Sequence, residues 1–199
     1  MSDVKMFNKN SFNVFKIEGL EPRMTAIKAD IQPIFQSLGE QFLSLLTERY
    51  PKEDFYLHIA QHIRRTANAP ENTWSAISTQ KRGYKMEVHF QLGIWENYVF
   101  LYLSMIDQPK DKLLYAEKLQ GVKLPEDFVV SNDHTKPEFF DASEFSKVLT
   151  RFSKVKKAEL EFGRIWSTQD FEENTNEKMI NEMVDTLTQL LPFYEKLMR

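Results

Sequence analysis

The chain has no cysteine, which excludes disulfide scaffolds, thiol nucleophiles and cysteine-based zinc sites. Glycine and proline are sparse, at six and eight of 199 residues, and no internal repeat, low-complexity stretch or long linker interrupts the sequence. Neither sign of charge dominates. Lys plus Arg number 26 against 29 Asp plus Glu, a formal charge of −3 with a pI near 5.9. That balance weighs against a broad basic coat for nucleic acid and against an acidic disordered tail. The longest strongly apolar run without charge, Asn97 to Ile106, falls far short of the ~20 residues that cross a bilayer. The opening MSDVKMFNKN lacks the apolar segment of a secretory signal. A cytoplasmic protein without a membrane partner is therefore expected. No G-x-x-x-x-G-K-[ST] loop, G-x-G-x-x-G fingerprint or G-x-S-x-G elbow is present, so no cofactor or enzyme class is indicated by motif.

What the chain does have is core material. Hydrophobic residues make up 42% and aromatics 13%, and a chain of this length buries about 70% of its unfolded surface. One domain over residues 1–199 is expected. Met24, Ile27, Ile31, Ile34, Leu38, Phe42 and Leu45 recur at spacings of three and four, predicting an amphipathic helix from Pro22 to Arg49. Pro33 should kink or split it. Phe55–Ala60 and Thr73–Gln80 read as strands, separated by a polar loop, with a turn at Gly83. The clearest feature is a hairpin: Met86, Val88, Phe90, Leu92 and Ile94 share one strand face, Glu96-Asn97 turns, and Tyr98–Ile106 returns. The two-residue turn sets Ile94 opposite Val99, Leu92 opposite Leu101, Phe90 opposite Leu103 and Val88 opposite Met105. A one-residue slip would instead bury His89 and Gln91. Further helices are expected at Pro109–Leu119, after a capping box at Asp141–Glu144, and over Ile180–Leu191 until Pro192 interrupts. Phe128–Asn132 and Ala158–Ser167 read as strands. The expected fold is an α+β sandwich, a mostly antiparallel sheet of about six strands packed by helices, with long ones near both ends.

Charge is unevenly spread. His58 to Lys85 carries Arg64, Arg65, Lys81, Arg82 and Lys85 against one acid, Glu71, a formal +4 with His58 and His62 neutral. Asp170 to Arg199 holds seven acids and three bases, a net −4. Beside Trp74 and Tyr84, the basic stretch suits a phosphate or carboxylate with a stacked ring; the plain alternative is a solvated loop. His58 and His62 have the i, i+4 spacing of metal ligands. However, His58 falls in a strand, residue 59 is Ile, and a third ligand would have to come from His89, Asp133 or His134; no metal is assigned. His89, opposite Ser104 on the more polar hairpin face, is a candidate acid or base or a histidine tied to a hydroxyl or carbonyl. Arg164 shares the inward face of Leu160, Phe162 and Trp166, so it needs an anion, either a carboxylate such as Asp133 or a bound ligand.

Four stretches, FNVFKIEGLEPRM, HIAQHIRRTANAPENTW, KRGYKMEVHFQLGIW and NDHTKP, resemble the YktB-like family, a domain of unknown function in low-GC Gram-positive bacteria. The likeness runs to the LLPFY of the last helix. It implies a single cytoplasmic α+β domain and carries no catalytic role. It does place His58, His62, Arg64, Arg65, Trp74, Lys81, Arg82, Gly83, Tyr84, Lys85 and His89 in the family's recognisable motifs. Three functions compete. The first is a site for an anionic small molecule, a nucleotide or phosphorylated metabolite, with or without catalysis, held by a cluster of His58, His62, His89, Arg64, Arg65, Lys81, Arg82, Lys85 and Arg164 with Trp74 or Tyr84 as a stacking face. The second is a non-enzymatic interaction or regulatory protein. The third is a nucleic-acid module, disfavoured by the net charge.

Overall fold

A computed structural model describes residues 4–199; the first three residues of the N-terminal stretch read above lie outside them. The fold is α+β, built on one seven-stranded antiparallel sheet of order β1-β2-β3-β4-β7-β5-β6. The strands are β1 (Tyr56–Ile59), β2 (Asn72–Ser78), β3 (His89–Trp95), β4 (Tyr98–Met105), β5 (Val129–Ser131), β6 (Phe140–Asp141) and β7 (Leu160–Ser167). The expected hairpin forms with the expected register, pairing Ile94 with Val99, Leu92 with Leu101 and Phe90 with Leu103. Met86 to Val88 stay outside β3, because Tyr84–Met86 form a 3-10 turn instead. β6 is the strand that periodicity did not reveal; two residues are too few to show alternation.

Helices α3 (Gln32–Arg49), α5 (Phe145–Lys154) and α7 (Asn176–Met198) pack on one sheet face, with α4 (Lys112–Lys118) against α5 and α7. Leu92, Ile94, Val99, Leu101, Leu103, Phe162 and Trp166 project from that face into the main core, against Phe35, Leu38, Phe42, Leu187 and Leu190. Four short helical pieces precede α3 among the described residues: α1 (Lys9–Asn13), a 3-10 turn over Val14–Lys16, α2 (Leu20–Ala26) and a π turn over Ile27–Ile31. The π turn answers the expectation at Pro33. Proline has no N–H for the ladder, and the amide of Gln32 reaches back five residues to the Ile27 carbonyl.

Two expectations are corrected. Asp141 makes no side-chain cap, because it ends β6 opposite Val129 and the chain enters α5 through a 3-10 turn, Ala142–Glu144. The capping boxes used lie elsewhere, at Asn8–Ser11 and at Ser167–Asp170, the latter opening α6 (Thr168–Glu173). Pro192 does not end the last helix, which runs on to Met198. Leu187 and Leu190 before it and Tyr194 and Leu197 after it are all buried, so packing on both sides outweighs the one lost backbone bond.

Candidate functional site

Strand alternation gives the second sheet face a different character. β2 turns Trp74 and Ala76 to it, β3 His89, Gln91, Gly93 and Trp95, β4 Tyr98, Phe100, Tyr102 and Ser104, and β7 Glu161, Gly163 and Ile165. One rung of this face is wholly polar: His89 pairs with Ser104, Ser104 with Glu161, and Glu161 with Ser131. All four are buried. Next to it lies an aromatic patch of Trp95, Tyr98, Phe100 and Tyr102. Phe100 occupies the space over Gly93, where a Cβ would stand 2.1 Å from the ring, and stacks on Tyr102 at 4.6 Å. Two segments cross this face, residues 79–87 through Tyr84 and residues 132–139 through His134, Pro137 and Phe139.

The first of these segments is pinned by Glu87, whose carboxylate accepts the Thr79 amide (2.9 Å), the Thr79 hydroxyl (2.6 Å) and the Gln80 side-chain amide (3.3 Å). Gly83, at φ +73°, makes the turn. Tyr84 then lies over the sheet, its ring 5.1 Å from His58 and 5.0 Å from His89, while its hydroxyl accepts the Trp74 indole N–H at 2.8 Å. Lys85 pairs with Asp107 and sits 5.7 Å from the Trp74 ring. His62 also meets Trp74 in an edge-to-face arrangement at 5.5 Å and bonds the Thr73 hydroxyl at 3.0 Å. The second segment is held by Glu159, which takes the His134 amide at 2.9 Å, the His134 ring at 2.8 Å and the Asp107 amide at 3.1 Å.

Burial sets most proton affinities here. It lowers His62 and His89 from 6.5 to about 4, so both rings are neutral at pH 7. The His89 Nδ1 faces the Glu87 carbonyl at 3.0 Å and its Nε2 the Gln91 side-chain oxygen Oε1 at 3.1 Å. Both oxygens accept, so the single proton of the neutral ring serves one of them at a time. Burial raises Glu161 to about 7 even though the Ser104 hydroxyl donates to it at 2.6 Å. Burial alone would lower His134, but the hydrogen bond and charge of Glu159 overcome it and raise the ring above 6.5. Glu161, raised to about 7, and His134, raised above 6.5, thus share this sheet face with the half-buried rings of His58, His62, Trp74 and Tyr84, a ring-lined shelf. Asp107, His134 and Glu159 each bring one ligating atom within 4.8 Å of the others, but Lys85 and two backbone amides already occupy their carboxylates.

With this geometry in view, comparison with known proteins is informative. Residues 7–194 match the family model described as a domain of unknown function, DUF1054. The chain belongs to this family. It is similar to the UPF0637 protein YsbB of Lactococcus lactis subsp. lactis (strain IL1403), 57% identical over 197 residues, covering 97% of this chain and 99% of the relative. UPF0637 proteins of Enterococcus faecalis (47% identical; 96% and 97% covered) and Bacillus cereus strain G9842 (40%; 96% and 97%) are also similar. The DUF1054 assignment agrees with the resemblance read in the sequence, an uncharacterised family of low-GC Gram-positive bacteria.

On this DUF1054 fold, six of the sequence candidates come together: His58, His62, Trp74, Tyr84, Lys85 and His89. His89 is fully buried beneath Tyr84 rather than lining a cleft. Arg64, Arg65, Lys81 and Arg82 are exposed in flanking loops. Arg65 bonds the carbonyls of Asn68 and Ala69 in its own loop, and its charge helps to depress His62. His58 and His62 do not form a metal pair, because the first bonds the Gln80 carbonyl at 2.9 Å and the second Thr73. Arg164 is the clear correction. It stands on the helix-covered face, 3.3 Å from Glu182 and 3.8 Å from Asp127, with its side chain 29% exposed. Its partners are therefore protein carboxylates, and not Asp133, which takes Thr135 and Lys136. The sequence reading missed Asp107, Glu159 and Glu161. The signal was available at the start of β7, where Glu159 just before the strand and Glu161 within it alternate with Leu160 and Phe162; alternation alone assigns them to solvent.

No helix among the described residues is long and apolar enough to cross a membrane.

Proposed function

We propose that this protein binds a small anionic molecule carrying a planar group, a nucleotide or phosphorylated metabolite, on the shelf formed by His58, His62, Trp74, Tyr84 and Lys85. The supporting observation is the unbroken run from His58 through Tyr84 and Trp74 to His62, with Lys85 beside it. These residues come from β1, β2 and two loops, and the exposed Arg64, Arg65, Lys81 and Arg82 flank them in sequence and supply forked or point charges for an anion. The test is calorimetric titration with ADP and with inorganic phosphate, on the wild type, Lys85→Met, the double variant Arg65→Ala/Lys81→Ala, and Arg164→Met. ADP should bind more tightly than phosphate, and the first two variants should weaken it at least about tenfold, the value of one charge-assisted bond. Arg164→Met, on the far face, should leave binding unchanged. Absence of binding by ADP and phosphate up to about 1 mM, or equal affinity in all variants, would overturn the reading.

A catalytic use of the same shelf is the second reading, favoured by Glu161 titrating near 7 close to His134. Turnover of a bound phosphate ester, followed by phosphorus NMR and abolished in Glu161→Gln, is its test. Binding without turnover removes it.

A further inference from the structure

A cleft of about 620 Å³, lined by none of the shelf residues, opens at the tip of the β3–β4 hairpin. Its volume falls in the range of small-molecule sites, roughly 300–1,000 Å³, and is far larger than the voids a packed interior leaves. Phe15, Trp95, Tyr98, Phe139 and Ile165 give it apolar and aromatic walls. Two of these are fixed in place: Tyr98 donates its hydroxyl to the Pro137 carbonyl at 2.7 Å and meets Phe139 edge-on at 5.4 Å. Fixed aromatic faces of this kind favour a flat ring between or against them.

The polar groups on the rim narrow the choice. Arg23 is half-buried, and its guanidinium is oriented by the carbonyls of Ile17 (2.8 Å) and Pro70 (3.1 Å). Both are neutral acceptors, and among the described residues no carboxylate lies within ion-pair distance of it. Its charge is thus steered but not neutralised, which favours an anionic group in the cleft. Glu71 and Glu96 border the same cleft, so a ligand bearing only negative charge would meet two like charges. A molecule with one group of each sign beside a ring satisfies all three.

We propose that this cleft binds an aromatic zwitterion, its ring against Trp95, Tyr98 and Phe139, its carboxylate on Arg23, and its ammonium toward Glu71 or Glu96. A free aromatic amino acid and the end of a short peptide share this chemistry. Calorimetric titration of the whole protein with L-phenylalanine, the dipeptide Ala-Phe, N-acetyl-L-phenylalanine, L-phenylalaninamide and L-alanine separates them. L-phenylalanine binding more tightly than Ala-Phe assigns the free amino acid, and the reverse order assigns the peptide. In either case the acetylated, amidated and ring-less probes should bind at least about tenfold more weakly, since each lacks one recognition group.

Phe139→Ala and Arg23→Gln should each cost about tenfold, whereas Lys85→Met, on the shelf, should cost nothing. Arg23 also ties backbone segments together, so Phe139→Ala, a side chain 38% exposed, keeps the test independent of folding. Equal binding of L-alanine, no response to Phe139→Ala, or no heat with any probe at about 10 mM would overturn the assignment. The outcome is independent of ADP binding.

Discussion

Replacing His89 by glutamine tests the electrostatics of the second sheet face directly. The ring is completely buried and its proton affinity lies at about 4, against 6.5 for a free imidazole. The native state therefore excludes the charged form. The unfolded chain binds a proton below 6.5 that the native chain resists until about 4, so the neutral ring contributes stability above 6.5 that is lost as pH falls toward 4. At about 1.4 kcal/mol for each factor of ten in proton affinity, the complete loss is about 3 kcal/mol, of which about 2 kcal/mol has gone by pH 5. Glutamine carries no charge at any of these values. His62 is depressed in the same way and acts in both proteins, so it cancels in the difference. Urea unfolding followed by circular dichroism, on wild type and His89→Gln at pH 8, 6.5 and 5, measures that difference. At pH 8 the variant should be less stable by about 1–3 kcal/mol, for lost packing and one lost hydrogen bond. By pH 5 the gap should shrink by about 2 kcal/mol and close or reverse. A gap constant within about 0.5 kcal/mol would refute the conclusion that the fold holds His89 neutral.

Glu161→Gln should show the opposite sign, because burial lifts this carboxyl from 4.5 to about 7. Wild-type stability falls as pH rises from 4.5 through 7, so the variant, which keeps an acceptor for Ser104, should gain up to about 3 kcal/mol relative to wild type at pH 8. The same urea series reads it. Tyr102 buries a hydroxyl with no hydrogen-bond partner among the described residues, so Tyr102→Phe should leave the unfolding free energy in the same urea series unchanged or raise it by up to about 3 kcal/mol of relieved desolvation. Gly163→Ala should cost about 3 kcal/mol or more in thermal melts, since its Cβ would lie 2.0 Å from the Leu101 carbonyl oxygen and a backbone atom cannot swing aside.

How far the sequence revealed the fold depended on whether local pattern and final burial agreed. In the β3–β4 hairpin they do: apolar residues fall on alternate positions, the turn has two residues, and the observed pairing follows. The polar face misled, because His89, Gln91, Ser104 and Glu161 alternate as solvent-facing residues do and yet are buried. What buries them is two loop segments held by long-range bonds, such as Glu159 to the amides of Asp107 and His134, and no local periodicity encodes that. The basic stretch was informative up to a point. Residues from His58 to Lys85 do gather around Trp74, but through their rings and Lys85, while the four remaining cations stay in solvent. Arg164 was correctly read as needing an anion. Its partner Glu182 lies in α7, within the acidic stretch from Asp170 to Arg199, and there it also accepts the Trp166 indole N–H at 2.9 Å.

The second face also shows which polar groups need a functional explanation. Loops laid across a sheet bring backbone amides and carbonyls out of water, and each needs a partner. Glu87 serves the Thr79 amide, Glu159 those of Asp107 and His134, and His89 the Glu87 carbonyl. These buried residues are accounted for by the architecture alone. Glu161 is different: its bond goes to the hydroxyl of Ser104, which a neutral side chain would satisfy equally, and its ionisation near neutrality is a cost the fold does not require. The layer above it is different as well. The side chains of Tyr84, Trp74 and Lys85 interact with one another or with Asp107, and among the described residues no backbone group of the covering loops bonds to those side chains. Substituting this layer should therefore affect stability less than substituting Glu87 or Glu159, while removing whatever binding the shelf supports. An equal loss of stability in Lys85→Met and Glu159→Gln would instead make the shelf a part of the scaffold.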